Sequence, residues 1–228
     1  MSTERRPNGQ PDGHPDERPE GEQRSAQHQG MPTTSTIVYL HGFRSSPRSV
    51  KATLLAQALA ALPAELRPAL HIPQLPHRPA HAMATIFAIV ASVDPAQLCL
   101  VGSSLGGFYA TCAAERHGAR AVLINPAVRP WDDLRDHAGM QTNMHTGEAF
   151  EVTAAHFAEL RAMAVGRIRS PSRYLLLVQT GDEVLDWRQA IDFYAGGWQS
   201  VQGGGDHAFS GFEAQIPAIL RFCALQRD

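Results

Sequence analysis

The chain is poor in several things a protein needs for particular trades. It has 228 residues and one lysine, Lys51, so nearly all its positive charge is arginine; we read this as coding bias, since either residue serves solubility. Its formal net charge is −2, without the basic excess a nucleic-acid binder carries. Its three cysteines, Cys99, Cys112 and Cys223, are odd in number, widely spaced and set in apolar runs, which predicts buried free thiols rather than disulfides or a CxxC centre. No apolar stretch approaches the ~20 residues of a membrane-spanning helix, and the N-terminus lacks the apolar centre of a secretory signal. The expectation is a cytoplasmic protein with no membrane or nucleic-acid partner. Nucleotide and metal signatures are also missing. No G-x-G-x-x-G opens a βαβ unit and no P-loop is present. His77 and His81 are four apart, but Pro79 lies between them and no HExxH glutamate follows His77. No metal or organic cofactor is implied.

What is present divides at about residue 34. Residues 1–34 are rich in Pro, Gly, Gln, Glu, Arg and Asp and nearly free of aliphatic side chains. Such a segment buries too little apolar surface to offset its ordering entropy, so a disordered extension is expected. Met31 offers an alternative start. Residues 35–228 alternate β-branched apolar runs with helical segments. Strands are predicted at Thr36–Leu40, Ala69–Ile72, Leu98–Val101, Ala121–Ile124, Tyr174–Val178 and Trp198–Val201. Helices are predicted from Ser46-Pro47 to about Leu62, over Pro79–Val93, Leu105–His117 and Trp187–Tyr194, and as one closing helix over Phe212–Ala224. Strands buried on both faces between helices predict a single α/β domain with six mostly parallel strands. Residues 127–172 are too long for one crossover, and an insertion after a strand's carboxyl end lies over the ligand crevice. A cap or pocket wall is expected there, with an extra pair of surface helices as the alternative.

The sharpest chemical signal is Gly102-Ser103-Ser104-Leu105-Gly106, a G-x-S-x-G between a predicted strand and a predicted helix. The turn must be tight enough to lift the central hydroxyl above the sheet, and only small flanking residues allow that approach. Centring the motif on Ser103 would need glycine at Val101 and Leu105, so Ser104 is the candidate nucleophile. A serine hydroxyl needs a base, and on this elbow the chain order runs serine, acid, histidine. His207, in the glycine-rich loop before the last helix, is best placed. The acid is expected after the penultimate strand, where Asp182 directly follows Gly181. Asp186 is the runner-up, with a helix N-cap role as its alternative, and Asp132 and Asp133 are more distant. The oxyanion donors expected are the backbone N–H groups of Leu105 and Phe43, with His41 a structural hydrogen-bonding residue.

Several longer stretches are similar to the bacterial YqiA-type esterase family: Tyr39-Leu40-His41-Gly42-Phe43, Ser45-Ser46-Pro47-Arg48-Ser49, Val101 to Gly107, Asn125 to Pro130, Gln179 to Asp186, and Asp206-His207-Ala208-Phe209. The resemblance runs from Ile37 to the C-terminus. It implies an α/β-hydrolase fold that begins at the strand usually third in the full fold. It further implies hydrolysis of small acyl esters, with acyl thioesters as further substrates, and the triad Ser104, Asp182 and His207. The chain departs from it in its N-terminal extension and in Asp206, where asparagine is expected. The alternatives are a non-catalytic binding protein of the same fold and an acyltransferase using the same triad.

Overall fold

The computed structural model describes residues 32–225. The first strand, β1 (Thr36–Leu40), is buried at every position, as an apolar β-branched run predicts. It is followed by α1 (Val50–Ala60), β2 (Ala69–His71), α2 (Pro79–Val90), β3 (Leu98–Ser103), α3 (Leu105–His117) and β4 (Arg120–Ile124). An insertion then contributes α4 (Pro130–Asp133), the hairpin strands β5 (Gly139–Thr142) and β6 (Ala149–Val152), and α5 (Ala154–Met163). The chain returns through β7 (Tyr174–Gln179), α6 (Trp187–Phe193), β8 (Trp198–Gln202) and α7 (Ile216–Phe222). The main sheet has six strands in the order β2-β1-β3-β4-β7-β8, every neighbouring pair parallel. This is an α/β-hydrolase fold.

Alternation along the strands sends side chains to two separate cores. Val38, Leu40, Leu98, Leu100, Leu123 and Leu176 pack against α2 and α3 on one face. Ile37, Tyr39, Cys99, Val101, Ile124 and Leu177 pack against α1 and α7 on the other. Since α1 follows β1 to one face and α3 follows β3 to the other, the chain parts between these adjacent strands. The crevice beyond their carboxyl ends is the usual place for a ligand in such sheets. All three cysteines are buried and free. Among the described residues, no helix is long and apolar enough to cross a membrane.

Three expectations need correction. The inserted segment is not the pair of surface helices offered as the alternative: it is a short helix, an antiparallel hairpin and a longer helix, with Phe150 of the hairpin lining a cavity. The hairpin is built around Asn143, whose Oδ1 accepts the N–H groups of His145 and Thr146. The closing helix is shorter than expected, with a 3-10 turn over Phe212–Gln215 before α7. Pro217, lacking an N–H, can only stand in a first turn and so fixes where α7 begins. Residues 1–31 of the expected extension lie outside the described residues. Its last residue, Thr34, is buried and donates its N–H to the Cys223 carbonyl at 3.0 Å, so the ordered domain begins before residue 35.

Arg120 is what ties that first segment down. It is 5% exposed at the start of β4, and its guanidinium donates to the carbonyls of Pro32, Ala96 and Phe222 and to Thr34 Oγ1. Replacing it leaves the buried Phe222 carbonyl and Thr34 hydroxyl without their donor. Arg120→Met should therefore lower unfolding free energy by about 3 kcal/mol, read as a drop in the urea midpoint with an unchanged slope.

Candidate active site

Ser104 sits between β3 and α3 at φ 55°, ψ −123°, a conformation L-residues rarely adopt. The strain is held from three sides: its N–H donates to the Ile124 carbonyl, and its own carbonyl accepts from Gly107 and Ala127. The glycines around it are steric necessities. A Cβ on Gly106 would lie 2.0 Å from the Leu40 carbonyl oxygen, and one on Gly102 would lie 2.2 Å from the Gly106 oxygen. The turn therefore lifts the Ser104 hydroxyl above the sheet at the positive end of the thirteen-residue helix α3.

The two partners expected from the sequence meet it there. His207 Nε2 lies 3.0 Å from Ser104 Oγ, and His207 Nδ1 lies 2.9 and 3.0 Å from the two oxygens of Asp182. The consistent tautomer has Nδ1–H donating to the carboxylate and Nε2 accepting from the serine. Asp182 is 1% exposed on its side chain, and its Oδ1 also accepts the N–H groups of Val184 and Leu185. These donors keep it an acceptor aimed at the imidazole. Asp186 is elsewhere occupied, capping α6 through the Arg188 N–H. Asp132 pairs with Arg129, Arg135 and Arg161 on the insertion. His77 faces His156 at 3.0 Å, not His81, and no cluster of three metal-ligating side chains occurs among the described residues.

The N–H groups of Phe43 and Leu105 have no hydrogen-bond partner among the described residues. Phe43 is held in place through its neighbours. His41 Nδ1 donates to the Gly42 carbonyl and Nε2 accepts the Leu75 N–H. Burial lowers the His41 pKa and so favours the neutral ring that this pattern needs. His41 is thus a structural brace. The hairpin joins the same loop, since Asn143 Nδ2 donates to the Ser45 carbonyl and Arg44 Nε to the Thr142 carbonyl.

What sequence reading missed is how the histidine loop is hung. Asn125 is 2% exposed at the end of β4, with φ 39°, and its amide serves three backbone groups. Oδ1 accepts the Gln179 N–H, while Nδ2 donates to the carbonyls of Asp206 and His207. Gln179 repeats the device, its side chain bonding the Ser210 carbonyl and the Asp206 N–H. A buried amide before a proline at a strand end was the available signal, though it does not name the loop it holds. Asp206, the departure from asparagine, accepts from Ser210 N and Oγ, and that side-chain bond chiefly holds its carboxyl below the usual range.

A family model described as an uncharacterised protein family (UPF0227) matches residues 36–224. A UPF0227 protein of Shewanella baltica (strain OS195) is 28% identical over 155 residues, covering 63% of this chain and 77% of the relative. Among solved structures, the fold is shared with mouse alpha/beta hydrolase domain-containing protein 10, with TM-score 0.62, 17% identity, and coverage of 84% of this chain and 90% of that one. It is shared likewise with ferulic-acid-bound Est1E of Butyrivibrio proteoclasticus, with TM-score 0.61, 15% identity, and coverage of 85% and 90%.

If the buried amide of Asn125 holds the imidazole in place, turning its donor into an acceptor must loosen it. Asn125→Asp sets a carboxylate against two carbonyls. Any reaction that depends on His207 should lose about 10–100-fold in kcat with KM nearly unchanged, measured by steady-state kinetics beside a thermal melt showing the variant folded.

Proposed function

The chain belongs to the UPF0227 family, and from that footing we propose that it is a serine esterase acting on small acyl esters, thioesters included, through an acyl-enzyme. The observation that carries this reading is the unbroken hydrogen-bond chain from Asp182 through His207 to Ser104 at the strained head of α3. The esterase and hydrolase names of the fold's neighbours agree with it.

Each part has a chemical duty. Ser104 Oγ attacks the ester carbonyl as its proton passes to His207 Nε2, and Asp182 stabilises the imidazolium so formed. The carbonyl oxygen becomes an oxyanion, and the free N–H groups of Phe43 and Leu105 are its donors. The C–O bond to the alcohol then breaks as His207 returns its proton to the leaving oxygen, leaving the acyl group on Ser104. Water, losing a proton to the same imidazole, attacks that acyl group. Collapse of the second tetrahedral intermediate restores the serine and releases the acid. Three buried free thiols suit a reducing compartment, and we assign the enzyme to the cytoplasm.

The test is hydrolysis of p-nitrophenyl butyrate by wild type, Ser104→Ala, His207→Ala and Asp182→Asn. Each variant should lose at least about 10³-fold in kcat, and the double variant Ser104→Ala/His207→Ala little more than Ser104→Ala alone, since the residues act as a unit. An inactive wild type, or a Ser104→Ala variant that keeps its rate, would end the proposal.

A further inference from the structure

Two cavities lie beside the turn that carries Ser104. One, of about 220 Å³, is walled by Phe43, Leu75, Leu105, Tyr109 and Phe150 with polar groups of His41, Gln74 and Glu148 among them. The other, of about 320 Å³, is lined by Ser104 and His207 together with Tyr39, Ser49, Lys51 and Glu183. A general acid must lie within hydrogen-bond reach of the oxygen it protonates. The leaving alcohol therefore belongs in the cavity that the imidazole lines, and the acyl group in the other.

The alcohol-side cavity holds polar groups whose hydrogen-bonding capacity is not filled. Tyr39 is 0% exposed, and its hydroxyl lies against those of Ser49 and Ser103 without a well-formed hydrogen bond to either. The Ser49 hydroxyl is likewise buried, with the Tyr39 hydroxyl as its neighbour and no well-formed bond. Ser49 stands at the N-cap of the eleven-residue helix α1 yet makes no side-chain capping bond, which leaves the positive end of that helix open. Two residues on is Lys51, the only lysine in the chain. Its ammonium spends one donor on the Ala208 carbonyl, at 2.7 Å, and keeps two.

The charges of Asp206 and Asp182 act on Lys51, and Glu183 lines the same cavity, but all three carboxylates are engaged by other donors. Asp206 is bonded by Ser210, Asp182 by His207, Val184 and Leu185, and Glu183 by the His207 N–H. Resting on the esterase reading above, we propose that this cavity is a subsite for an anionic oxygen group, a carboxylate or phosphate, on the alcohol half of the substrate, with Lys51 Nζ, Tyr39 Oη and Ser49 Oγ as its donors. The class of substrate is then the acyl ester of a hydroxy acid or of a phosphorylated diol. Burial lowers the Lys51 pKa to about 8 against the upward pull of Asp206 and Asp182. The ammonium is nearly whole at pH 7, and the preference for an anion fades as pH rises through that value.

The experiment compares the butyryl ester of 4-hydroxybutanoate with its neutral amide counterpart, and with the butyryl ester of 4-hydroxybutyl phosphate. Wild type at pH 7 should favour an anionic ester over the amide by about tenfold in kcat/KM, and the larger of the two preferences names the anion. Lys51→Met should bring the ratio near one, Tyr39→Phe should reduce it, and Lys51→Arg should keep most of it. The ratio is the readout because losing the Ala208 bond slows all three esters alike. Calorimetry on Ser104→Ala with the same esters reads the subsite without catalysis. Preferential binding of an anionic ester there, erased by Lys51→Met, supports the subsite even if wild type hydrolyses nothing, in which case only the esterase reading falls. Equal binding and equal rates for charged and neutral esters, or a preference that survives Lys51→Met, overturns the subsite.

Discussion

The close approach of α3 to the sheet is the constraint from which the rest of the site follows. No side chain fits at Gly102 or Gly106, because the backbones of β1, β3 and α3 are in direct contact there. That contact leaves Ser104 only a narrow turn at φ 55°, a strain of about 1–3 kcal/mol, and three backbone hydrogen bonds hold it. The cost falls on one residue, and the benefit is a hydroxyl fixed above the switch between β1 and β3. Because α3 starts at that point, Leu105 N–H is left facing outward beside the hydroxyl, without any side chain having to be aimed.

A second geometric problem is that the imidazole comes from a glycine-rich loop with no stiffness of its own. The solution is borrowed rigidity. The loop's carbonyls at 206, 207 and 210 and its N–H at 206 are bonded by the side chains of Asn125 and Gln179, which are themselves buried at the ends of β4 and β7. Glycine is required where the loops touch: a Cβ on Gly181 would lie 2.3 Å from the Gly205 oxygen, and one on Gly205, at φ +75°, would lie 2.0 Å from Gln179 Oε1. The acid and base of the proposed triad are thus registered to the sheet by packing and by amide hydrogen bonds.

This division explains what was legible in the sequence. Runs such as Thr36–Leu40 and Leu105–His117 carry local, redundant signals, and their observed bounds match the expected ones. Ser104 was legible because its environment is written in adjacent residues. His207 and Asp182 followed from chain order, and the distances between them agree with that order. The hairpin at 139–152 was not legible, because Met140 and Gln141 alternate too weakly with their neighbours to mark a strand. It is held by Asn143 and by Arg44, a residue 98 positions away from Thr142. The roles of Asn125, Gln179 and Lys51 are also long-range. Each is a single polar residue whose partner lies on a loop that only the folded sheet brings near.

The hairpin's attachment has a mechanical consequence. Apart from the Ala127 N–H on the Ser104 carbonyl, the supports of Ser104, His207 and Asp182 come from outside the insertion, so changes in its hairpin need not disturb them. Phe43 differs, because its loop is bonded to the hairpin at Arg44 and Ser45 and to β2's end through His41 and Leu75. Phe150, on β6, packs edge-on against the Phe43 ring with centroids 5.9 Å apart and also walls the 220 Å³ cavity. A group that displaces Phe150 therefore pushes on the residue proposed to donate its N–H to the oxyanion. Acyl groups too large for the cavity should then be penalised in the chemical step as well as in binding, since the donor moves with the wall.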